Sequence, residues 1–302
     1  MATSCTALPA VCRHWPSPTG PAHLGHAYSA LTAWDMAQAA GGTFLLRFED
    51  IDRDRCRPEW EDAIAEDLRW LGLDWPRPAR RQSEHFADYD AVLDRLGARG
   101  LVYPCACSRA DIRAALTAPQ EAPPRIGPDG AVYPGTCRGR PMSDRAPGDA
   151  LRLDMARAVA SVGDLEFLET GPAHAGRHGI DAEELIAGTG DVVLGRRLTG
   201  IVAYHLAVVH DDGVQGVTDV VRGEDLFAAT PLHVLLQALL GLPHPRYHHH
   251  ALIRDPQGRR LAKRDDARAL ALYRASGLSP ADIRAKVGLG AAPTPPGDRA
   301  QP

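Results

Sequence analysis

One stretch constrains the fold of this chain more than any other: Arg13 to His26, RHWPSPTGPAHLGH. The run from Val11 to Trp15 reads as a short β-strand, and Pro16 to Pro21 is a Pro/Ser/Gly-rich turn. An apolar spacing of helical type then begins at Leu24, Ala27, Tyr28, Leu31 and Trp34, which predicts a helix from Gly25 to Ala40. Gly41 and Gly42 stop it in the manner of a C-cap. The unit is strand, tight turn, helix start. The unpaired N–H groups and positive dipole end of such a helix form an anion site. His23 and His26 lie three residues apart on one side of its first turn and can donate to phosphate oxygens. Histidines at a helix start are often only capping or surface groups, but here the turn before them and a basic loop far downstream favour a nucleotide site.

The alternation continues. Thr43 to Phe48 reads as a strand that delivers Glu49, Asp50 and Asp52 at its end. Pro58 suits the first turn of a helix that carries Trp60, Ile64, Leu68 and Leu71 on one face, and another helix is expected from Phe86 to Ala98. Strand–helix alternation argues for a parallel α/β sheet, with ligands beyond the C-terminal strand ends. From Thr117 to Ala150 the chain is rich in Pro and Gly and reads as a loop-rich insert. Strand character resumes from Leu151 to Glu169. Ile201 to Val209 reads as a strand, Asp212-Gly213 as a turn, and Gly216 to Arg222 as the returning strand. Thr230-Pro231 reads as N-cap and N1 of an apolar helix through Leu232, Leu235, Leu236, Leu239 and Leu240, closed by Gly241. After Pro256 the chain is basic and mostly helical to about Val287, and the tail AAPTPPGDRAQP is expected to be disordered.

Length and composition allow a full core: 302 residues, 44% hydrophobic and 24% charged. A net charge of −4 gives no global nucleic-acid signature, although arginines cluster at Arg77, Arg80 and Arg81, at Arg196 and Arg197, and from Arg254 to Arg268. No apolar run reaches the roughly 18 residues of a membrane helix. The N-terminus lacks the features of a secretory signal. Six cysteines without a disulfide-type framework suit a reducing cytoplasm.

Three further constellations carry chemistry. The loop Gly258 to Ala267, GRRLAKRDDA, centres on Lys263 between Arg260 and Arg264 and can close over a triphosphate. Alone it would read as a solvated charged stretch. Arg13, Ser17, Glu49, Tyr204 and Arg222 form a dispersed polar set near expected strand ends. Glu49 can take an ammonium group, Arg13 and Arg222 two carboxylates, and Tyr204 and Ser17 can orient the ligand; from spacing alone, ordinary ion pairing among strand-end residues is the favoured reading. Cys105, Cys107 and Cys137 form a C-x-C pair plus a third thiol in a core-poor insert, a pattern for Zn²⁺, with Tyr133 placed to fill the fourth position. The alternative is that those thiols are simply small buried apolar residues, but the pattern favours zinc. His248 to His250 lie in a strand-like run whose neighbours point to opposite faces, so no metal is expected there, only one imidazole near the nucleotide.

Together these residues resemble the glutamyl-type class I aminoacyl-tRNA synthetases. RHWPSPTGPAHLGH is similar to the family's RFAPSPTG…HIGH segment, and GGTFLLRFEDID to its GG-x-F-x-x-R-x-ED-x-D segment. AYHLAVVHDDGVQGVTDVVRGEDL is similar to AY-x-LA-VVDD…G-VT-x-VRG-x-DL. Arg260, Leu261, Ala262, Lys263 and Arg264 occupy the place of the KMSKS loop. The resemblance runs from about Arg13 to Arg268. His14 and Trp15 stand where the family has Phe-Ala, and Arg260 and Ala262 where it has Lys and Ser.

The resemblance implies a Rossmann-type parallel-sheet catalytic domain with a zinc-containing insertion and a short helical C-terminal part. The halves of that domain would span 1–102 and 186–250, with the insertion at 103–185, the KMSKS-like loop and helical part at 251–290 and the tail at 291–302. It implies activation of L-glutamate by ATP with Mg²⁺. His23, His26 and Lys263 would act on ATP, and Arg13, Ser17, Glu49, Tyr204 and Arg222 fall on the family's glutamate positions. The short tail and the C-x-C…Y-x-x-x-C pattern match a branch without an anticodon-binding region. That branch places glutamate on the queuosine base of tRNA(Asp) and activates it without tRNA. The implied state is a cytoplasmic monomer with one zinc per chain. Two other readings stay open: a shortened enzyme charging tRNA(Glu), and a non-catalytic zinc-containing RNA-binding module.

Overall fold

The computed structural model describes residues 10–14, 16–117, 125–196, 201–253 and 269–293. Its strands are β1 (Val11–His14), β2 (Thr43–Phe48), β3 (Arg80–Arg81), β4 (Val102–Cys105), β5 (Ile126–Gly127), β6 (Gly130–Ala131), β7 (Ala150–Leu153), β8 (Glu166–Glu169), β9 (Gly176–Gly179), β10 (Val193–Gly195), β11 (Asp219–Gly223) and β12 (Arg246–His250). Its helices are α1 (Leu24–Ala39), α2 (Pro58–Trp70), α3 (Phe86–Ala98), α4 (Arg109–Thr117), α5 (Met155–Ala160), α6 (Ala182–Glu184), α7 (Tyr204–Val214), α8 (Thr230–Leu240), α9 (Leu270–Ala275) and α10 (Pro280–Lys286).

Seven strands form one sheet in the order β3-β2-β1-β11-β12-β8-β9, parallel throughout except for the β8–β9 pair. The chain winds outward from β1 through β2 to β3, then returns to the other side of β1 with β11. The switch point therefore lies between β1 and β11, where α/β sheets bind ligands at the carboxyl ends of their strands. A second sheet, β10-β7-β4, and the small β5–β6 hairpin make up most of the inserted region. The 103–185 stretch is divided: β7 joins the second sheet, whereas β8 and β9 extend the large one.

The sheet packs as its sequence dictates. Phe44, Leu46 and Phe48 of β2 are buried beneath α1, whose sheet face is built from Ala27, Ala30, Ala33 and Ala37. Small residues let that helix sit close. Gly42 turns back so tightly that a Cβ there would lie 1.9 Å from the Ala10 carbonyl oxygen, so only glycine fits. On the other half, α8 buries Leu232, Leu235, Leu236 and Leu239 against α7 and α5. Gly241 caps α8 at φ 68°, as expected, but Thr230 is its first residue and Ala229 the N-cap.

Two expectations fail in the second half. The run from Ile201 to Val209 is not a strand; from Tyr204 it is helix α7. Both periodicities fit a short apolar run, and this helix is buried on several sides, with Leu206, Ala207, Val208, Val209, Asp211 and Asp212 all inside. Asp212-Gly213 is accordingly no hairpin turn but the last turn of α7, and β11 returns parallel to β1 and β12. No helix among the described residues is long and apolar enough to cross a membrane.

Candidate active site

The carboxyl ends of β1, β2, β11 and β12 converge on one set of polar side chains. Glu49 follows β2 and is buried, with its Oε1 3.4 Å from Arg47. Burial pushes its carboxyl up to about 7, against the pull of Arg47 and Arg13. Arg47, on β2, also donates to Asp212 (2.9 Å) and Gln215 (3.0 Å). Arg13, on β1, is fully buried and holds Asp212 through two hydrogen bonds, the Nη2–Oδ2 contact being 2.6 Å. Asp212 thus ties the arginines of β1 and β2 to α7. Next to it, Asp211 accepts from Arg80 (3.0 Å), Gln82 (2.9 Å) and Tyr89 (2.8 Å).

Tyr204 opens α7. Its hydroxyl is buried without a hydrogen-bond partner among the described residues. Burial, reinforced by nearby Glu49, pushes it up to about 12, so it stays a neutral donor. Arg222, at the end of β11, donates to His249 Nε2 (2.9 Å), His233 Nδ1 (2.9 Å) and Thr230 Oγ1 (2.8 Å). Ser17 is exposed on the turn after β1, where its carbonyl accepts from Thr19.

At the start of α1, His23 is the N-cap: its Nδ1 accepts from Gly25 N (3.1 Å), while His26 Nδ1 accepts from His23 N (3.2 Å). The two rings stack at 3.9 Å. Because each Nδ1 is an acceptor, a neutral ring carries its proton on Nε2, the atom that can donate to an anion. The capping reading and the anion reading are therefore compatible. The chain after the basic loop is fastened here too, through a bridge between His23 and Ala269 and a 2.9 Å bond from Leu270 N to Ala22 O. Lys263, with Arg260, Leu261, Ala262 and Arg264, lies outside the described residues, as do Trp15 and the 294–302 tail.

Cys105, Cys107 and Cys137 form a separate cluster with their sulfurs within 4.8 Å of one another. Cys107 and Cys137 are 3.5 Å apart, and Tyr133 Oη lies 3.4 Å from both Cys105 and Cys107. Thiolates sharing a tetrahedral Zn²⁺ sit about 3.8 Å apart, so the donor set fits that ion. Arg152 adds positive charge, donating to the Cys105 sulfur at 3.4 Å and lying over the Tyr133 ring. Burial opposes ionisation of Cys137, but hydrogen bonds from Tyr133 and the Ala106 backbone bring the thiol down to about 7. Tyr133 itself is held well above the ordinary phenol range by burial and the cysteines; it stays a neutral hydroxyl that accepts from Cys137 N at 2.9 Å.

The three consecutive histidines do not converge. His248 meets Thr170, His249 turns to Arg222 and Glu169, and His250 packs edge-on to Tyr28. Sequence reasoning missed Arg47, Asp211, Asp212, His205 and His233. Arg47 lies in plain view inside the GGTFLLRFEDID segment, Asp212 beside Gly213 has the look of a turn, and Asp211, His205 and His233 sit in or beside apolar runs that give no sign of a site.

Comparison with known proteins fits this geometry. Residues 10–127 and 183–294 match the family model of the class I tRNA synthetases (E and Q), catalytic domain. The fold and site thus define a class I aminoacyl-tRNA synthetase-like ligase. A glutamyl-Q tRNA(Asp) synthetase of Rhodobacter capsulatus is 60% identical over 282 residues, 92% of this chain and 100% of the relative. One of Nocardia farcinica is 44% identical, covering 94% of this chain and 86% of its own. The chain belongs to the glutamyl-Q tRNA(Asp) synthetase family within that class. A crystal structure of a glutamate tRNA ligase from Elizabethkingia meningosepticum, in complex with its amino acid, superposes with a TM-score of 0.72 at 26% identity, over 94% of this chain and 61% of that one. This chain therefore spans about three-fifths of that ligase. Methionyl-tRNA synthetase of Mycobacterium tuberculosis shares the fold alone, with a TM-score of 0.58 at 10% identity over 93% of this chain and 64% of that one.

Proposed function

We propose that this enzyme activates L-glutamate with ATP and transfers it to the queuosine base in the anticodon of tRNA(Asp). The observation that carries the reading is the buried cluster of opposite charges at the switch point. Glu49, with Tyr204 and Arg222 near it, offers an anion, a neutral donor and a cation within one buried site. A free amino acid with an acidic side chain needs all three. The name shared by the relatives supplies the acceptor.

In this reading Glu49 takes the α-ammonium group, and Arg222 takes a carboxylate. Tyr204 donates its unpartnered hydroxyl to the bound substrate. Arg13, held by Asp212, contributes charge to the floor of the site. An oxygen of the α-carboxylate attacks the α-phosphorus of ATP, the bond to the β-phosphate oxygen breaks, and pyrophosphate leaves. A hydroxyl of queuosine then attacks the activated carbonyl, and AMP departs. His23 and His26 donate through Nε2 to phosphate oxygens, and Lys263 neutralises the charge that develops on the leaving group. Positioning and electrostatics supply the acceleration. Mg²⁺ would accompany ATP. Zn²⁺ would be held by Cys105, Cys107 and Cys137 beside Tyr133 and would supply folding energy to a region with little core.

The test is glutamate-dependent ATP–pyrophosphate exchange without tRNA, followed by transfer of labelled glutamate to tRNA(Asp) with and without queuosine, beside tRNA(Glu). Exchange without tRNA and transfer only to queuosine-bearing tRNA(Asp) are expected. Charging of tRNA(Glu) alone would overturn the acceptor, and absence of exchange would overturn the activation step.

A further inference from the structure

The two substrate-side arginines are held in opposite ways. Arg13 faces a carboxylate directly, through two bonds to Asp212. Arg222 touches no carboxylate among the described residues: its partners are two imidazoles and a hydroxyl. Behind each imidazole, however, stands an acid. His249 Nδ1 is 2.5 Å from Glu169 Oε2, and Glu169 Oε1 is fixed in turn by the backbone N–H of His249 (2.9 Å) and Gly171 (2.6 Å). On the other side His233 Nε2 is 2.8 Å from His205 Nδ1, and His205 Nε2 is 2.9 Å from Asp129 Oδ2.

The proton positions follow from one fact: arginine only donates. His233 Nδ1 and His249 Nε2 must therefore accept. The His233 proton then sits on Nε2 and points at His205 Nδ1, which accepts, so that His205 Nε2–H donates to Asp129. The His249 proton sits on Nδ1 and points at Glu169. Every donor meets an acceptor along a line that crosses the molecule from the insert hairpin to β8. Arg222, His233, His249 and Glu169 are each about 1% exposed. Burial and the Arg222 charge push His233 well below the ordinary imidazole range, and burial lowers His249 likewise, so both stay neutral acceptors.

Asp129 belongs to the two-residue turn Pro128-Asp129 between β5 and β6. The hairpin is seated firmly on the turn 185–189: a Cβ at Gly127 would lie 2.3 Å from the Gly188 carbonyl oxygen. The turn thus reaches the site from the inserted region.

Arginine has five N–H groups, and three are engaged here. One remains on each of Nη1 and Nη2. We propose that Asp129, through His205 and His233, and Glu169, through His249, are positioning residues that fix the Arg222 guanidinium and aim its two remaining N–H groups at a substrate carboxylate. The imidazoles are spacers. They hold the cation by neutral acceptors while keeping the two acids a ring or more away, so the substrate carboxylate does not compete with a direct counter-ion. This rests on the reading of glutamate as substrate given above.

The experiment measures KM for glutamate, KM for ATP and kcat in pyrophosphate exchange for the full chain and for Asp129→Ala, Asp129→Asn, His233→Ala and His233→Gln, with thermal unfolding of each. Asp129→Ala is expected to raise the glutamate KM roughly fivefold and His233→Ala more, with ATP KM and kcat little changed. Asp129→Asn and His233→Gln, which keep an acceptor, should recover most of the loss. A glutamate KM unchanged in Asp129→Ala overturns the relay, and so does a fall in kcat with both KM values shifted together, the mark of a general structural defect. If the unaltered chain gives no glutamate-dependent exchange, the substrate reading fails and takes the relay with it. Activity in the unaltered chain with insensitive variants sinks the relay alone.

Discussion

Asp212 lies against the Arg13 guanidinium at the base of the site, a pair in which Arg13 is 0% and Asp212 4% exposed. The same carboxylate also takes Arg47. Replacing Asp212 by Ala would leave two buried guanidinium groups with their main acceptor gone. A loss of about 3–5 kcal/mol is expected, seen in thermal unfolding as a drop of roughly 5–8 °C in Tm for a chain of 302 residues. A variant that unfolds at the original temperature would show that the pair contributes little.

Glu49 should trade stability for function. Its carboxyl is raised from the ordinary 4.5 to about 7, chiefly by burial, so between those values the folded protein binds more protons than the unfolded chain. Stability then falls as pH rises through that window. Glu49→Gln is accordingly expected to melt higher than the original at pH 8 and to lose most of its glutamate activation. In the unaltered enzyme, kcat/KM for glutamate should fall as pH drops below about 7, where the protonated acid no longer takes the ammonium group.

Tyr204→Phe removes a buried hydroxyl that has no partner among the described residues. Calorimetry should show a fold as stable as before or up to ~1 kcal/mol more so. The glutamate KM should rise about tenfold in the same variant. A KM that stays put would mean the hydroxyl does not meet the substrate.

The Lys263→Ala variant addresses the basic loop that precedes Ala269, the residue bridged to His23. Pyrophosphate exchange is expected to fall by about two to three orders of magnitude, the scale of a lost transition-state donor, with circular dichroism and Tm unaltered. Exchange at the original rate would remove this lysine from the chemistry.

Metal analysis of the purified chain should return about one zinc per chain, with Cys105→Ser losing it and the inserted region becoming sensitive to protease. Cys12, remote from the cluster in the sheet core, is the control: its replacement by Ala should leave metal content unchanged.

Local features were legible in the sequence because their physics is local. The β1–turn–α1 unit, the acidic end of β2 and the Cys105–Cys107–Cys137 cluster all lie within short spans whose residue types state their purpose. The run at 201–209 was misread because a helix covered on several sides shows no polar stripe, and a short apolar run suits either period. The misreading hid Asp212, whose partners Arg13 and Arg47 lie 199 and 165 residues away. No periodicity spans such a distance. His205 and His233 were invisible for a related reason: on apolar helices they look like core positions, and only the fold brings them in line with Arg222.

The last turn of α7 has a consequence for the order of events during synthesis. Arg13, Arg47 and Arg80 leave the ribosome long before Asp211 and Asp212, which are their buried acceptors. Until residue 212 is made, Arg13 lacks the carboxylate it holds in the fold, and Arg47 has Glu49 at 3.4 Å but not Asp212, so burying these cations would be costly. One helical turn then brings two consecutive carboxylates that join β1, β2 and β3, before Arg222 and its partners complete the site.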